Sequence, residues 1–267
     1  MINKNIRKSL LVYLVVTIPL LSQEKPDTTK TETDSTKTKP TIKSLTKGSK
    51  AIDGLFTFFQ DTTNGSVQML IQKQQLNKEF IHFVHTLDGV VDVGHFRGAY
   101  KSSKIFEIRK YFNRVEFIAI NTSYYFDPTN PLSKSSVANI NEPTLVSTEV
   151  LFEDETDGSI LIKADDIFLT ESLYQIKRPP NPNVKPGTRF TLGSLNKKKC
   201  QYFSINNYPL NSDLAIKYVF DNPTPVNRGG PGITDPRSVS LIIQHSIIAV
   251  PNNNYMPRLD DPRVGYF

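Results

Sequence analysis

Beyond Ala51, apolar and polar residues alternate with a period of two in run after run, the spacing of half-buried strands and not of helices. Residues 55–60 and 67–72 flank the polar run Asp61-Thr62-Thr63-Asn64-Gly65-Ser66. Because Asn-Gly tolerates positive φ, this pair reads as a hairpin. Residues 80–85 make a further strand. Residues 104–112 and 115–125 form a second hairpin across Asn113-Arg114, and 145–152 with 160–163 a third across the acidic turn before Gly158. Strand character returns at 200–205, 214–221 and 238–250, whereas 179–186 holds four prolines and reads as a loop or crossover. Helical signals are confined to 133–138 and one turn at 165–169. The expected fold is mainly β, an antiparallel sheet or sandwich-like arrangement with a few short helices, α+β being the alternative.

The N-terminus follows another pattern. Lys4, Arg7 and Lys8 precede an apolar run over 10–21 that contains Pro19 and is followed by the small Ser22. A cationic start, a short apolar stretch and a small residue predict a secretory signal peptide over residues 1–22, with an uncleaved anchor as the alternative. The run is shorter than the ~20 residues of a spanning helix. Residues 23–47 alternate Thr and Lys with acids and hold no large apolar side chain before Ile42, so a disordered linker is expected there. The folded part divides into a small N-terminal β domain, 48–95, and a larger β-rich domain, 96–267. Secretion or a periplasmic location follows from the signal.

Hydrophobic residues at 38% and charged residues at 22% exclude a fully disordered, collagen-like or multi-pass membrane chain. The formal charge of +6 overstates the folded part, because the signal contains three cations and no acid, leaving +3. That balance gives no argument for nucleic acid. A single cysteine, Cys200, excludes an intramolecular disulfide framework and any multi-cysteine zinc or iron–sulfur site.

Several residues invite chemistry. His82 and His85, with Asp88, Asp92 and His95 behind them, suggest a metal, but i,i+3 in a strand sends the two imidazoles to opposite faces. One is expected in the core and the other in solvent, both structural. Asp165-Asp166 and Glu153-Asp154-Glu155 offer paired acids for a glycosidase or a calcium site, though solvated turn residues are the simpler reading. Cys200 follows Lys197-Lys198-Lys199, and positive neighbours lower a thiol pKa. A nucleophile would need a positioned histidine, the next in sequence being His245, so an ordinary strand cysteine is expected. Pro231 spoils Gly229-Gly230-Pro231-Gly232 as a phosphate cradle, and neither Gly-x-Ser-x-Gly nor His-Glu-x-x-His occurs. Tyr100, Tyr111, Tyr124 and Tyr125 lie among Lys and Arg, a pattern for sugar or single-stranded nucleic acid, or for sheet-surface packing. No catalytic, cofactor-binding or metal-ligating residue is assigned, and no cofactor is expected in this chain.

The C-terminus is the most specific stretch. Tyr255-Met256-Pro257-Arg258 and Asp261-Pro262-Arg263-Val264-Gly265-Tyr266-Phe267 follow the apolar strand, and the end on an aromatic is expected to be a connection cut short. This segment resembles the end of the N-terminal region of large secreted bacterial zinc-dependent, metzincin-like metalloproteases, which carry two adjoining N-terminal domains of unknown function. Lys47-Gly48 to Gly54-Leu55-Phe56-Thr57 resembles the start of the first small domain. Leu76-Asn77-Lys78-Glu79-Phe80 resembles its next landmark, departing at Asn77, where the family has glycine. Asn121-Thr-Ser-Tyr-Tyr125, Ala164-Asp-Asp-Ile-Phe-Leu169 and Asp235-Pro-Arg-Ser-Val239 resemble landmarks of the second. The resemblance covers residues 45–267.

That resemblance implies a zinc peptidase whose His-Glu-x-x-His helix lies downstream of the position matching Phe267. The chain is therefore expected to be its non-catalytic N-terminal portion, a scaffold or accessory region partnered by the downstream protease domain or by a protein or peptide. Zinc is implied for that missing part alone. The alternative is an exported glycan- or protein-binding β module, marked by a concave patch of tyrosines. A third reading is a self-contained hydrolase using His82, His85 and nearby Asp residues. An unpaired edge or exposed apolar face near 241–248 would favour a missing downstream partner.

Overall fold

A computed structural model describes residues 40–251 apart from Tyr125, Pro128, Ser136 and Val137. The expected signal, the linker up to Lys39 and the C-terminal segment from Tyr255 lie outside the described residues. The described residues open with one helical turn, α1 (Ile42–Leu45), inside the stretch expected as a linker. Thr41 and Ser44 cap it reciprocally, each side chain bonded to the other's backbone. Strands follow: β1 (Ser49–Ile52), β2 (Thr57–Asp61), β3 (Val67–Ile71), β4 (Glu79–Asp88), β5 (Tyr100–Tyr111) and β6 (Arg114–Ala119). After them come β7 (Thr144–Glu153), β8 (Ile160–Lys163), the turn α2 (Asp165–Phe168), β9 (Ser194–Leu195), β10 (Gln201–Asn207), β11 (Asn211–Asp221) and β12 (Ser238–Ala249). Among the described residues no helix is long and apolar enough to cross a membrane.

The fold is mainly β, as the alternation predicts, with all twelve strands in one antiparallel sheet. The order is β1-β2-β3-β8-β7-β6-β5-β4-β12-β11-β10, and β9 pairs with β11. The three predicted hairpins are β2–β3, β5–β6 and β7–β8. β4, from the stretch 48–95, pairs with β5 on one side and β12 on the other, so that stretch shares its sheet with residues 96–267.

The sheet curls until its two ends meet. Asn207, the last residue of β10, donates from its amide nitrogen to the carbonyls of Ile52 on β1 and of Phe56, and Leu55 N donates to the Tyr208 carbonyl at 2.6 Å. One face of every strand from β2 to β8 thereby turns toward a single core. Phe56, Phe80, Phe106 and Phe117 run through it as a stack with centroids 5.3, 5.7 and 5.5 Å apart, although Phe56 precedes β2 and Phe117 lies on β6. Each such pair adds about 0.5–1.5 kcal/mol beyond its burial.

Two boundaries differ from expectation. The strand expected over 115–125 stops at Ala119, because Ile120 N bonds back to the Ile105 carbonyl and Asn121 Oδ1 accepts from Ser123 N in a side-chain-closed turn. The short helix expected at 133–138 is a 3-10 turn at Pro131–Ser135. The helical turn expected at 165–169 is α2.

Candidate functional site

Two places concentrate polar groups: a histidine chain inside the core and a cationic groove at one end of the sheet.

The inward positions of β4 are Phe80, His82, Val84 and Thr86, all buried, while His85 faces outward, half-buried beside Phe83. The two imidazoles therefore point to opposite faces, as i,i+3 in a strand requires. On β12 the inward run is Leu241, Ile243, His245 and Ile247. His245 pairs with Val84, so it lies diagonally across from His82, and the rings stack at 5.2 Å with 11° between their planes. His82 Nε2 lies 2.9 Å from His245 Nδ1, and His245 Nε2 lies 2.8 Å from the Tyr218 hydroxyl. Tyr218 donates to the Phe168 carbonyl at 2.6 Å.

That last bond orders the whole chain. A carbonyl accepts only, so Tyr218 spends its proton on Phe168 and accepts from His245 Nε2–H. His245 Nδ1 is then an acceptor and takes the proton of His82 Nε2–H. Both rings are neutral: burial, and secondarily Lys104, holds His82 at about 4, and burial followed by His82 pushes His245 well below its ordinary value. His82 Nδ1 keeps a buried lone pair with no partner.

His95, also buried, has a structural bond on each nitrogen. Its Nε2 donates to the Ile176 carbonyl at 3.2 Å, and Thr86 Oγ1 lies 3.3 Å from Nδ1. Burial and then Lys101 lower it to about 4. Asp88 is exposed and faces Arg97, and Asp92 accepts from Gly230 N at 2.8 Å. His82, His85, Asp88, Asp92 and His95 thus do not converge, and no group of three His, Cys, Asp or Glu able to hold a metal occurs among the described residues.

The paired acids are likewise separated. Asp165 Oδ1 accepts from Val67 N, and burial raises its pKa, whereas Asp166 bonds Lys197. Glu153 pairs with Lys110, and Asp154 closes the turn by accepting from Thr156. At Cys200 the effect expected from three lysines is reversed. Lys197 and Lys199 are held by Asp166 and Asp221, and burial raises the thiol pKa instead of lowering it. Tyr100 and Tyr111 do not share one patch. Tyr100 and Tyr111 sit at opposite ends of β5, about 36 Å apart at strand rise. Tyr111 packs on Phe112 and under Arg114, and Tyr124 on Phe126. Tyr125 lies outside the described residues. β12 is paired on both sides and is no edge.

Sequence reading missed the groove. Residues 176–192, read only as a proline-rich loop or crossover, form its main wall, with 91–94 and 222–227 opposite, around a cavity of about 810 Å³. Ile176, Phe190 and Leu192 are its buried floor. One end of the wall is fixed by His95 through Ile176 and by Glu171, whose carboxylate accepts from Ile176 N and Lys177 N. The other end is fixed by Asn227, which donates to the Gly187 and Thr188 carbonyls. Lys177, Arg178, Lys185 and Arg189 line the cavity, against one acid, Asp92.

No curated protein and no solved structure matches the chain. A family model described as a domain of unknown function, DUF5117, matches residues 98–267, which is more than half of the chain and spans β5 to β12. With that match covering the groove wall, Tyr218 and His245, the chain belongs to the DUF5117 family.

Proposed function

We propose that this chain is a non-catalytic accessory or scaffold region of an exported protein related to secreted zinc metalloproteases. The observation that carries this reading is the use made of its reactive side chains. His82 and His245 stabilise the core as a neutral pair bonded to Tyr218, and His95 holds the wall of a groove. Each of the three is a weak base near neutral pH, because burial keeps it below its ordinary value. The C-terminal resemblance supplies the metalloprotease context and the N-terminal pattern the export.

The test is the intact mass and zinc content of the native product recovered from its source cells. A zinc-containing product much larger than 30.2 kDa is expected. A second measurement addresses catalysis directly: the purified chain is expected to leave casein intact. Chelator-sensitive cleavage that disappears in His95→Gln would replace this reading with a self-contained hydrolase.

An exported protein-binding module is the second reading, favoured by the cationic groove. A mass matching residues 23–267, without zinc, would select it.

A further inference from the structure

The groove holds two unspent resources, charge and backbone. Among the described residues Lys177, Arg178, Lys185 and Arg189 make no ion pair, whereas Arg109 and Lys110 on β5 do. Arg178 lies against Gly94, where an added Cβ would fall 2.6 Å from its Nη2. Lys101 is lowered by burial first and then by the nearby Arg178. Two neighbouring cations with one groove acid between the walls, and that acid already accepting from Gly230, leave a local excess of positive charge.

The backbone is equally uncommitted. Residues 189–192 alternate exposed Arg189, buried Phe190, exposed Thr191 and buried Leu192, the period of a strand, and lead directly into β9. Yet among the described residues their main chain makes no hydrogen bond. Pro179, Pro180, Pro182 and Pro186, earlier in the same cavity-lining segment, offer no N–H with which to pair it. A run that reads as a strand, lines a cavity and has no partner is the receptor half of a β-augmentation site.

We propose that this groove binds an extended acidic peptide segment, laid as an added strand along residues 189–192 with its carboxylates met by Arg178, Arg189, Lys177 and Lys185. Four residues at strand rise span about 13 Å, so the core of the bound segment is four or five residues long. Alternate side chains of that segment face the floor of Phe190 and Leu192, which selects apolar residues between the acids. The wall over 176–192 is stiffened by its prolines and pinned by His95, Glu171 and Asn227, so little ordering entropy remains to oppose binding. Arg178, Lys185 and Arg189 are exposed and Lys177 is half-buried, and the four come from two stretches of the segment, an arrangement for charges spread along a chain and not for one small anion.

The experiment uses the full chain and a fluorescein-labelled peptide alternating Glu with Val, followed by anisotropy. Binding at low salt is expected, weakening at about 0.5 M salt as the screening length falls. A matched peptide with Lys in place of Glu is expected not to bind. Arg178→Glu with Arg189→Glu, both exposed and checked by circular dichroism, should weaken binding about tenfold or more. A backbone N-methylated version of the same peptide leaves the protein untouched and should lose a similar factor, since it removes the added-strand hydrogen bonds. Equal binding by the charge-reversed protein, no effect of N-methylation, or displacement by millimolar inorganic phosphate would each overturn the proposal. It rests on the accessory-region reading only in expecting the peptide to remain whole. Cleavage seen by mass spectrometry would overturn that reading and leave the docking intact.

Discussion

His82 and His245 show how a residue type associated with catalysis becomes a core element. An imidazole is polar and titratable, so burying it costs free energy unless its protons are placed and its charge is refused. The chain from His82 through His245 and Tyr218 to the Phe168 carbonyl places three protons in one direction. Nitrogen-resolved NMR should accordingly find both rings as Nε2–H tautomers, still neutral at pH 5; an Nδ1–H ring on His245 would contradict the chain. The same burial makes stability depend on pH. His82 and His95 titrate at about 4 in the folded protein against an ordinary 6.5. Below 6.5 the unfolded chain takes up protons that the folded chain refuses, so stability is full above that value and is lost as pH falls toward 4. Each fully buried histidine contributes about 1.4 kcal/mol per pH unit over that window. Asp165, whose pKa burial raises, works in the opposite sense, but one carboxyl does not offset three histidines. Urea midpoints should therefore drop steadily from pH 7 to pH 5. A flat profile would mean that the histidines are not sealed.

At the scale of elements, the closure between β1 and β10 rests on the Asn207 side chain together with the Leu55 N bond to the Tyr208 carbonyl. Asn207 donates to the Ile52 and Phe56 carbonyls, and its own Oδ1 accepts from Ser212 Oγ at 2.7 Å. Gly54 leaves the room, since a Cβ there would come within 2.4 Å of the Asn207 side chain. Asn207→Ala strands two part-buried carbonyls and should cost about 1–2 kcal/mol. Its mark should be local, with amide exchange accelerating in β1 and β2 well before the core strands; uniform acceleration would show that closure and core are one unit. The hairpins were legible beforehand because they depend on adjacent residues: Asn64-Gly65 fixes one turn, and period-two alternation fixes which face turns inward. The opposed faces of His82 and His85 follow from the same period. The His82–His245 pair was not legible, because it joins residues 163 apart through the β4–β12 pairing. β1 escaped notice because Ser49-Lys50-Ala51-Ile52 carries too little apolar signal. The groove escaped because its wall acquires meaning only from what stands opposite it.

For the whole molecule, the family match raises a question about where the folding unit begins. Residues 98–267 contain β5 to β12 but not β4. In the sheet, β4 separates β5 from β12, so removing it creates two free edges in the middle of the barrel-like wall. It would also take away the inward residues Phe80, His82, Val84 and Thr86. His245 would lose the proton donor at its Nδ1, and the phenylalanine stack would keep only Phe106 and Phe117. Phe58, Val67, Met69 and Ile71, all fully buried or nearly so, would go with β2 and β3, uncovering β8. Losses of this kind exceed the usual 5–15 kcal/mol that holds a domain folded. The fragment 98–267 should therefore lack a cooperative urea transition and bind a hydrophobic dye, whereas a chain beginning at Pro40 should unfold in one step. The slope of that transition scales with the surface exposed, so it reports which residues belong to the cooperative unit. A cooperative transition in the shorter fragment, with a slope near that of the longer chain, would place β1 to β4 outside the folding unit.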